Sequence, residues 1–96
     1  MYTRIFRVKH QDEPTQVLGK QSDKPIWRCN ITLQEMGGSA ADEFVATMLG
    51  NDAQCRYRDQ ELVVATLRFS TREYEGRVYQ NVTVTDIMKF YGQKAF

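Results

Sequence analysis

The chain has 96 residues, of which 42% are hydrophobic and 26% are charged, with a formal net charge of +1. This length permits one compact core, and this composition excludes the disordered and collagen-like classes. We therefore expect a single domain over residues 1–96. The net charge does not identify a partner, because phosphate binding depends on where positive charges cluster and not on their sum.

The two cysteines, Cys29 and Cys55, are too few for a disulfide framework and lack the spacing of metal ligands. No apolar run approaches the roughly 20 residues needed to cross a bilayer, and the first residues do not resemble a signal peptide. We expect free thiols, no cofactor, no membrane association and a cytoplasmic location.

Alternation of apolar and polar residues predicts three strands in the first half of the chain. The first covers residues 3–9, and residues 16–19 resume it after an interruption at Pro14. The second covers residues 26–35, where every other side chain is apolar. The third covers residues 44–49.

The second half predicts a short helix over residues 53–58 and two long strands over residues 62–74 and 78–89. Glu75 and Gly76 join these strands, and an acidic residue followed by glycine favours a tight turn with positive backbone torsions. Five strand segments and one short helix before the fourth favour an all-β barrel, because closing a sheet removes its exposed edges.

Strand parity assigns the larger aromatic side chains to the interior. Phe6, Phe44 and Phe69 fall on apolar faces and are predicted to lie in the core. Trp27 shares a face with three apolar residues, so a position in the core or at the barrel rim is favoured over a binding role.

The order of these elements resembles the core domain of bacterial single-stranded DNA-binding proteins. Residues 44–53 resemble that family's third strand with its glycine stop and helical turn, residues 62–68 its fourth strand, residues 72–79 its hairpin and residues 82–88 its last strand. Residues 29–33 resemble its second strand. The resemblance implies a five-stranded OB-fold barrel with one short helix between strands 3 and 4, a homo-oligomeric state (dimer or tetramer) and binding to single-stranded DNA.

The chain departs from the family pattern at several positions. The family usually carries a glycine where this first strand has residues 6–8, and we do not expect the family's long tail with an acidic tip. Tyr74 alone stands where the family's hairpin aromatic would be. Where the family often places base-stacking aromatics, this chain has other residues: Gly37, Gly38, Glu43 and Leu49.

The hairpin carries the best candidate binding surface. Parity places Arg68, Arg72 and Tyr74 on the outward face of one strand and Tyr79 on the outward face of its partner, with Arg77 at the tip. Single-stranded nucleic acids are held by cationic grooves and by aromatic rings on which bases stack. The alternative is that the charges solvate the sheet and pair across strands, while the two tyrosines form a cross-strand aromatic pair.

A second cationic group lies upstream. Arg7 and Lys9 alternate on the first strand beside Arg4 and His10, and Arg28 flanks the following loop. These residues are added to the candidate nucleic-acid-binding set, although charged strand residues also serve as edge protection.

The sequence therefore predicts sequence-tolerant binding of single-stranded DNA in replication, recombination or mobile-element transfer, without a small-molecule substrate. A primosomal accessory protein is a related reading. The rival is an OB-fold assembly module whose sheet edges and C-terminal aromatics, Phe90, Tyr91 and Phe96, make subunit contacts. We do not expect an enzyme, because the lone histidine, His10, has no nucleophile or metal motif arranged with it.

Overall fold

The computed structural model describes residues 2–18, 24–37 and 40–90. Six strands and one short helix form within these residues: β1 (Tyr2–Gln11), β2 (Thr15–Leu18), β3 (Pro25–Glu35), β4 (Glu43–Leu49), α1 (Asn51–Gln54), β5 (Leu62–Tyr74) and β6 (Arg77–Lys89). The predicted all-β class is confirmed, as is the position of the helix between the third and fourth predicted strands, which are β4 and β5.

Five of the strands close into a ring. Neighbours follow the order β1, β5, β6, β4, β3, and a β1–β3 pairing completes the circuit. The β4–β6 pairing is parallel and rests on one residue pair, Thr47 with Thr83, whereas the other pairings are antiparallel. β2 pairs with β3 alone and therefore lies outside the ring.

Two elements differ from their predictions. Residues 16–19 were expected to resume the first strand, but Thr15–Leu18 turns back to form β2 along β3; Gly19 lies outside the described residues. The helix ends at Gln54 rather than at residue 58, because Cys55 is extended. Hydrogen bonds tie the following loop to β1, and they use backbone groups of Cys55 and Tyr57 that a longer helix would need for its own hydrogen bonds.

One buried glutamine, Gln11 at the end of β1, makes these bonds. Its side-chain Nε2 donates to the Cys55 carbonyl oxygen at 2.8 Å, and its Oε1 accepts the Tyr57 backbone N–H at 2.9 Å. The same amide lies 3.6 Å from the thiol of the free, buried Cys29. Gln11 thus fastens the α1–β5 loop across one end of the ring, where Ala53 is also buried.

Inward-facing side chains from the five ring strands form the core. They are Phe6, Val8, Cys29, Ile31, Leu33, Ala46, Met48, Val63, Ala65, Leu67, Val84 and Ile87. A bulge in β6 explains how Val84 and Ile87, three residues apart, both point inward: Leu67 pairs with Val84 but Thr66 pairs with Asp86, so Thr85 is the extra residue. The predicted inward faces of β3 and of the first half of β5 are confirmed.

The β5–β6 hairpin extends beyond the ring. Its turn residues Glu75 and Gly76 have φ angles of 50° and 79°, so the predicted turn with two positive torsions is confirmed. The last β1–β5 pair in the described residues is Tyr2 with Leu67, while β5 and β6 stay paired to the turn. Residues 68–83, here called the outer hairpin, therefore form a two-stranded ribbon that projects roughly 20 Å.

In the part of the chain that the structure describes, no helix has the length and hydropathy of a membrane span.

Candidate nucleic-acid interface

The register of the outer hairpin places the predicted arginines and tyrosines on one face. Residues directly opposite in an antiparallel pair share a face. Arg72 lies opposite Tyr79, and Tyr74 lies opposite Arg77. We call this side the basic face; its members are Arg68, Ser70, Arg72 and Tyr74 from β5 and Arg77, Tyr79, Asn81 and Thr83 from β6. Each tyrosine is thus paired with an arginine and not with the other tyrosine.

The basic face is open to solvent. Tyr74 and Tyr79 are 58% and 42% exposed, and all three arginines are exposed. None of the ion pairs found among the described residues involves the outer hairpin. The three guanidinium groups are therefore available to anions in solution.

The acidic residues of the hairpin lie elsewhere. Glu73 pairs with Val78 on the opposite side, here called the reverse face, and Glu75 occupies the turn. The reverse face comprises Phe69, Thr71, Glu73, Val78, Gln80 and Val82. Because no carboxylate lies on the face of the arginines, nothing on that face offsets their electrostatic attraction for a phosphate.

The basic face continues onto the outside of the ring. Arg68 lies opposite Thr83, and Thr83 neighbours Thr47, whose hydroxyl donates to the Asn30 side-chain oxygen at 3.1 Å. Arg28 lies two residues from Asn30 on the same side of β3 and is exposed. It also lines an open pocket with Asp12 and Glu13, so its charge is partly opposed.

Arg7 and Lys9 are not brought to the basic face. Arg7 pairs with Leu62 at the far end of β5, six residues from Arg68, which corresponds to about 20 Å along the strand. Lys9 lies at an irregularity between Val8 and His10, farther still. The sequence predicts these cations as a second group of the candidate set, and local pattern does not show that β1 carries Arg7 to the end of β5 that lies away from the hairpin.

Two interior predictions are corrected on the reverse face. The alternation of Val78, Val82 and Val84 in the sequence predicts that Val78 points inward, but it is 68% exposed. Phe69, predicted to be core, is 41% exposed. Both residues have the predicted parity. They are exposed because the outer hairpin projects past the ring, so most of its reverse face has no strand opposite it. Phe69, at the base of the hairpin, contacts Tyr2 and Phe44 with one part of its ring. Phe6 is fully buried as predicted, while Phe44 and Trp27 are partly buried against the core.

An aromatic cluster that the sequence did not indicate lies where the outer hairpin leaves the ring. The Tyr2 and Phe69 ring centroids are 5.7 Å apart, and Phe44 lies 6.0 Å from Tyr2 and 5.8 Å from Phe69. Phe6 closes the cluster from within, 6.1 Å from Phe44. The inward parity of these side chains was visible in the sequence, but their meeting depends on the pairing of Tyr2 with Leu67.

Polar groups fix the position of Tyr2. Its hydroxyl donates a hydrogen bond to the Glu35 carboxylate, and the Arg4 guanidinium carbon lies 4.3 Å from the centre of its ring. The hydrogen bond to Glu35, with burial and the carboxylate charge, raises the pKa of Tyr2 above its ordinary value. The hydrogen bond to Glu35 and the contact with Arg4 therefore hold the Tyr2 ring beside Phe69.

Comparisons with known proteins do not assign the chain to a family: no protein-family model matches it, and no curated protein matches it.

Proposed function

We propose that this protein binds single-stranded DNA through the basic face of the outer hairpin. The observation that carries the proposal is the arrangement of Arg68, Arg72 and Arg77 with two exposed tyrosines on one face that holds no carboxylate. The arginines contact successive phosphates, and the tyrosines stack against bases. Because every base has an aromatic face, such binding tolerates sequence.

We further propose that the ring is an OB-fold barrel. The connectivity supports this: the five ring strands close in a mixed order with one parallel pair, and the short helix precedes β5. OB-folds bind oligonucleotides on the face of their second and third strands and on flanking loops. The corresponding elements here are β3, β4 and the outer hairpin, which form the continuous surface from Arg28 to Arg77.

Two of the residues that stand where the single-stranded DNA-binding family often places base-stacking aromatics, Glu43 and Leu49, lie on β4. Val45 and Leu49, on its outward side, are 60% and 43% exposed, where aromatic stacking partners would add affinity. Aliphatic side chains offer apolar contact without stacking. The proposal therefore assigns most of the binding energy to the hairpin and predicts weaker binding than a barrel with aromatics on both surfaces would give.

Fluorescence anisotropy with labelled oligo(dT), with duplex DNA as competitor, tests the proposal. Arg72→Ala with Tyr74→Ala should weaken binding by at least tenfold, because it removes a charge contact and a stacking partner worth about 1 to 3 kcal/mol. Thr71→Ala with Val78→Ala is the matched control, since it truncates the same ribbon on the reverse face. Equal affinity of the two folded double mutants would reject the basic face as the binding surface.

A second candidate is an assembly module, and the exposed reverse face favours it. Val78 and Phe69 are apolar and open to solvent. Among the described residues, neither edge of the outer hairpin pairs with another strand beyond Leu67 on β5 and Thr83 on β6. Phe90 is 41% exposed, whereas Tyr91 and Phe96 lie outside the described residues. Light scattering, which measures the oligomeric state, separates the candidates when it is combined with anisotropy. A dimer or tetramer that does not bind oligo(dT) even at low salt would favour the assembly module.

A further inference from the structure

A cleft lies beside the aromatic cluster. It is lined by Tyr2, Leu67, Arg68 and Phe69, has a volume of about 390 Å³ and is open on one side. This volume lies in the range in which proteins hold small organic groups. Its floor, Leu67, is fully buried, while Phe69 is 41% exposed.

The chemistry of the lining favours a flat aromatic ligand attached to an anion. Phe69 presents ring surface, and Tyr2 and Phe44 hold it by edge contacts at 5.7 and 5.8 Å. Two guanidinium groups flank the rings, Arg68 in the lining and Arg4 against Tyr2. The carboxylate at this position, Glu35, is engaged by the Tyr2 hydroxyl.

Arg68 links this cleft to the basic face. It is the residue that belongs to both, because its side chain lies on the basic face while the residue also lines the cleft at the edge of β5. A single strand of DNA that crosses this edge at Arg68 passes directly from the basic face to the cleft. No β1 residue covers the edge beyond Leu67 in the described chain.

We propose that the cleft takes one base of the bound single strand, stacked on Phe69, with the adjoining phosphate held by Arg68. The inference rests on the proposed function, since it assumes that a strand is bound at the basic face. It adds a contact on the other side of the ribbon, so the bound DNA contacts both faces of β5. Phe69, which sequence parity assigned to the core, becomes a base-stacking residue.

The test combines Phe69→Leu with oligo(dT) and with an oligomer of the same length that carries abasic sites throughout. Leucine keeps the apolar volume but removes the aromatic face. We expect oligo(dT) to bind about fivefold or more weakly, with an unchanged salt slope, and the abasic strand to bind both proteins equally. Thr71→Ala, on the same face farther along the ribbon, should leave both affinities unchanged.

A spectroscopic readout separates stacking from a structural role. The chain has one tryptophan, so Phe69→Trp in a Trp27→Phe background places the sole indole in the cleft. Oligo(dT) should quench its fluorescence, while the abasic strand should not.

If the wild-type protein binds oligo(dT) and Phe69→Leu binds it equally well, the proposed base site in the cleft is wrong. The same holds if Phe69→Leu binds more weakly but oligo(dT) does not quench the indole. Neither result contradicts binding at the basic face. Absence of any oligo(dT) binding by the wild-type protein would instead reject the proposed function, and this inference with it.

Discussion

The salt dependence of Arg72→Gln tests how many phosphates the basic face neutralises. Three arginines share that face without a carboxylate. If each neutralises one phosphate, the logarithm of the binding constant falls with the logarithm of salt concentration with a slope of about −0.7 per contact, or about −2 in total. Raising salt from about 50 to 200 mM should then weaken wild-type binding about 18-fold.

Arg72→Gln removes one contact, so the slope should fall to about −1.4 and the same salt change should weaken binding only about sevenfold. Arg7→Gln makes the same chemical change about 20 Å away at the other end of β5 and should keep the wild-type slope. Anisotropy titrations at four or five salt concentrations measure all three slopes. The reasoning is refuted if Arg7→Gln lowers the slope as much as Arg72→Gln, or if the wild-type slope is near zero.

Three further predictions concern the framework that supports the site. Gln11→Met should lower the free energy of unfolding by about 3 kcal/mol in urea denaturation, because it leaves the Tyr57 N–H and a loop carbonyl without partners; the exposed Gln16→Met serves as control, and equal midpoints would contradict the fastening role. Gly76→Val should lower stability by about 1 to 2 kcal/mol, since φ is 79° there, and a melting temperature at or above the wild-type value would exclude the described turn. Burial, reinforced by nearby acidic groups, raises the pKa of Tyr57 to about 12. Between about pH 10 and pH 12 the folded protein therefore keeps this proton, whereas a tyrosine in the unfolded chain, with a pKa of about 10, loses it. The stability that Tyr57 contributes is lost as the pH rises through this interval. Tyr57→Phe should remove the latest phase of an ultraviolet titration of the tyrosines, and an unchanged titration would show that another tyrosine is responsible.

Local pattern was sufficient for most of the strands and for the hairpin. The alternation at Cys29, Ile31 and Leu33 predicted a buried face, and the pair Glu75-Gly76 predicted the turn, because both depend on residues adjacent in sequence. The basic face followed from the same parity, since no bulge interrupts residues 68–83. The sequence therefore predicted which side chains share a side of the hairpin.

Pairing between distant segments was not predictable from local pattern. The exposure of Val78 and Phe69 depends on the register of β1 and β5, which in the described residues pair only as far as Tyr2 opposite Leu67 and so leave the outer hairpin uncovered. The separation of Arg7 from Arg68 has the same origin. The shorter helix reflects Gln11, a residue more than 40 positions away whose amide takes the backbone groups that a longer helix would have used.

The single β4–β6 residue pair has a mechanical consequence for the hairpin. Among the described residues, β6 pairs with β4 only at Thr83 and Thr47, and β5 pairs with β1 only as far as Leu67, opposite Tyr2. The outer hairpin is therefore anchored at its base and pairs with no other strand farther out. Two-stranded ribbons twist more readily than wider sheets. Twisting of the ribbon would change the distance between its three arginines and Arg28 on the ring, so the proposed site would accommodate single strands of different backbone shape.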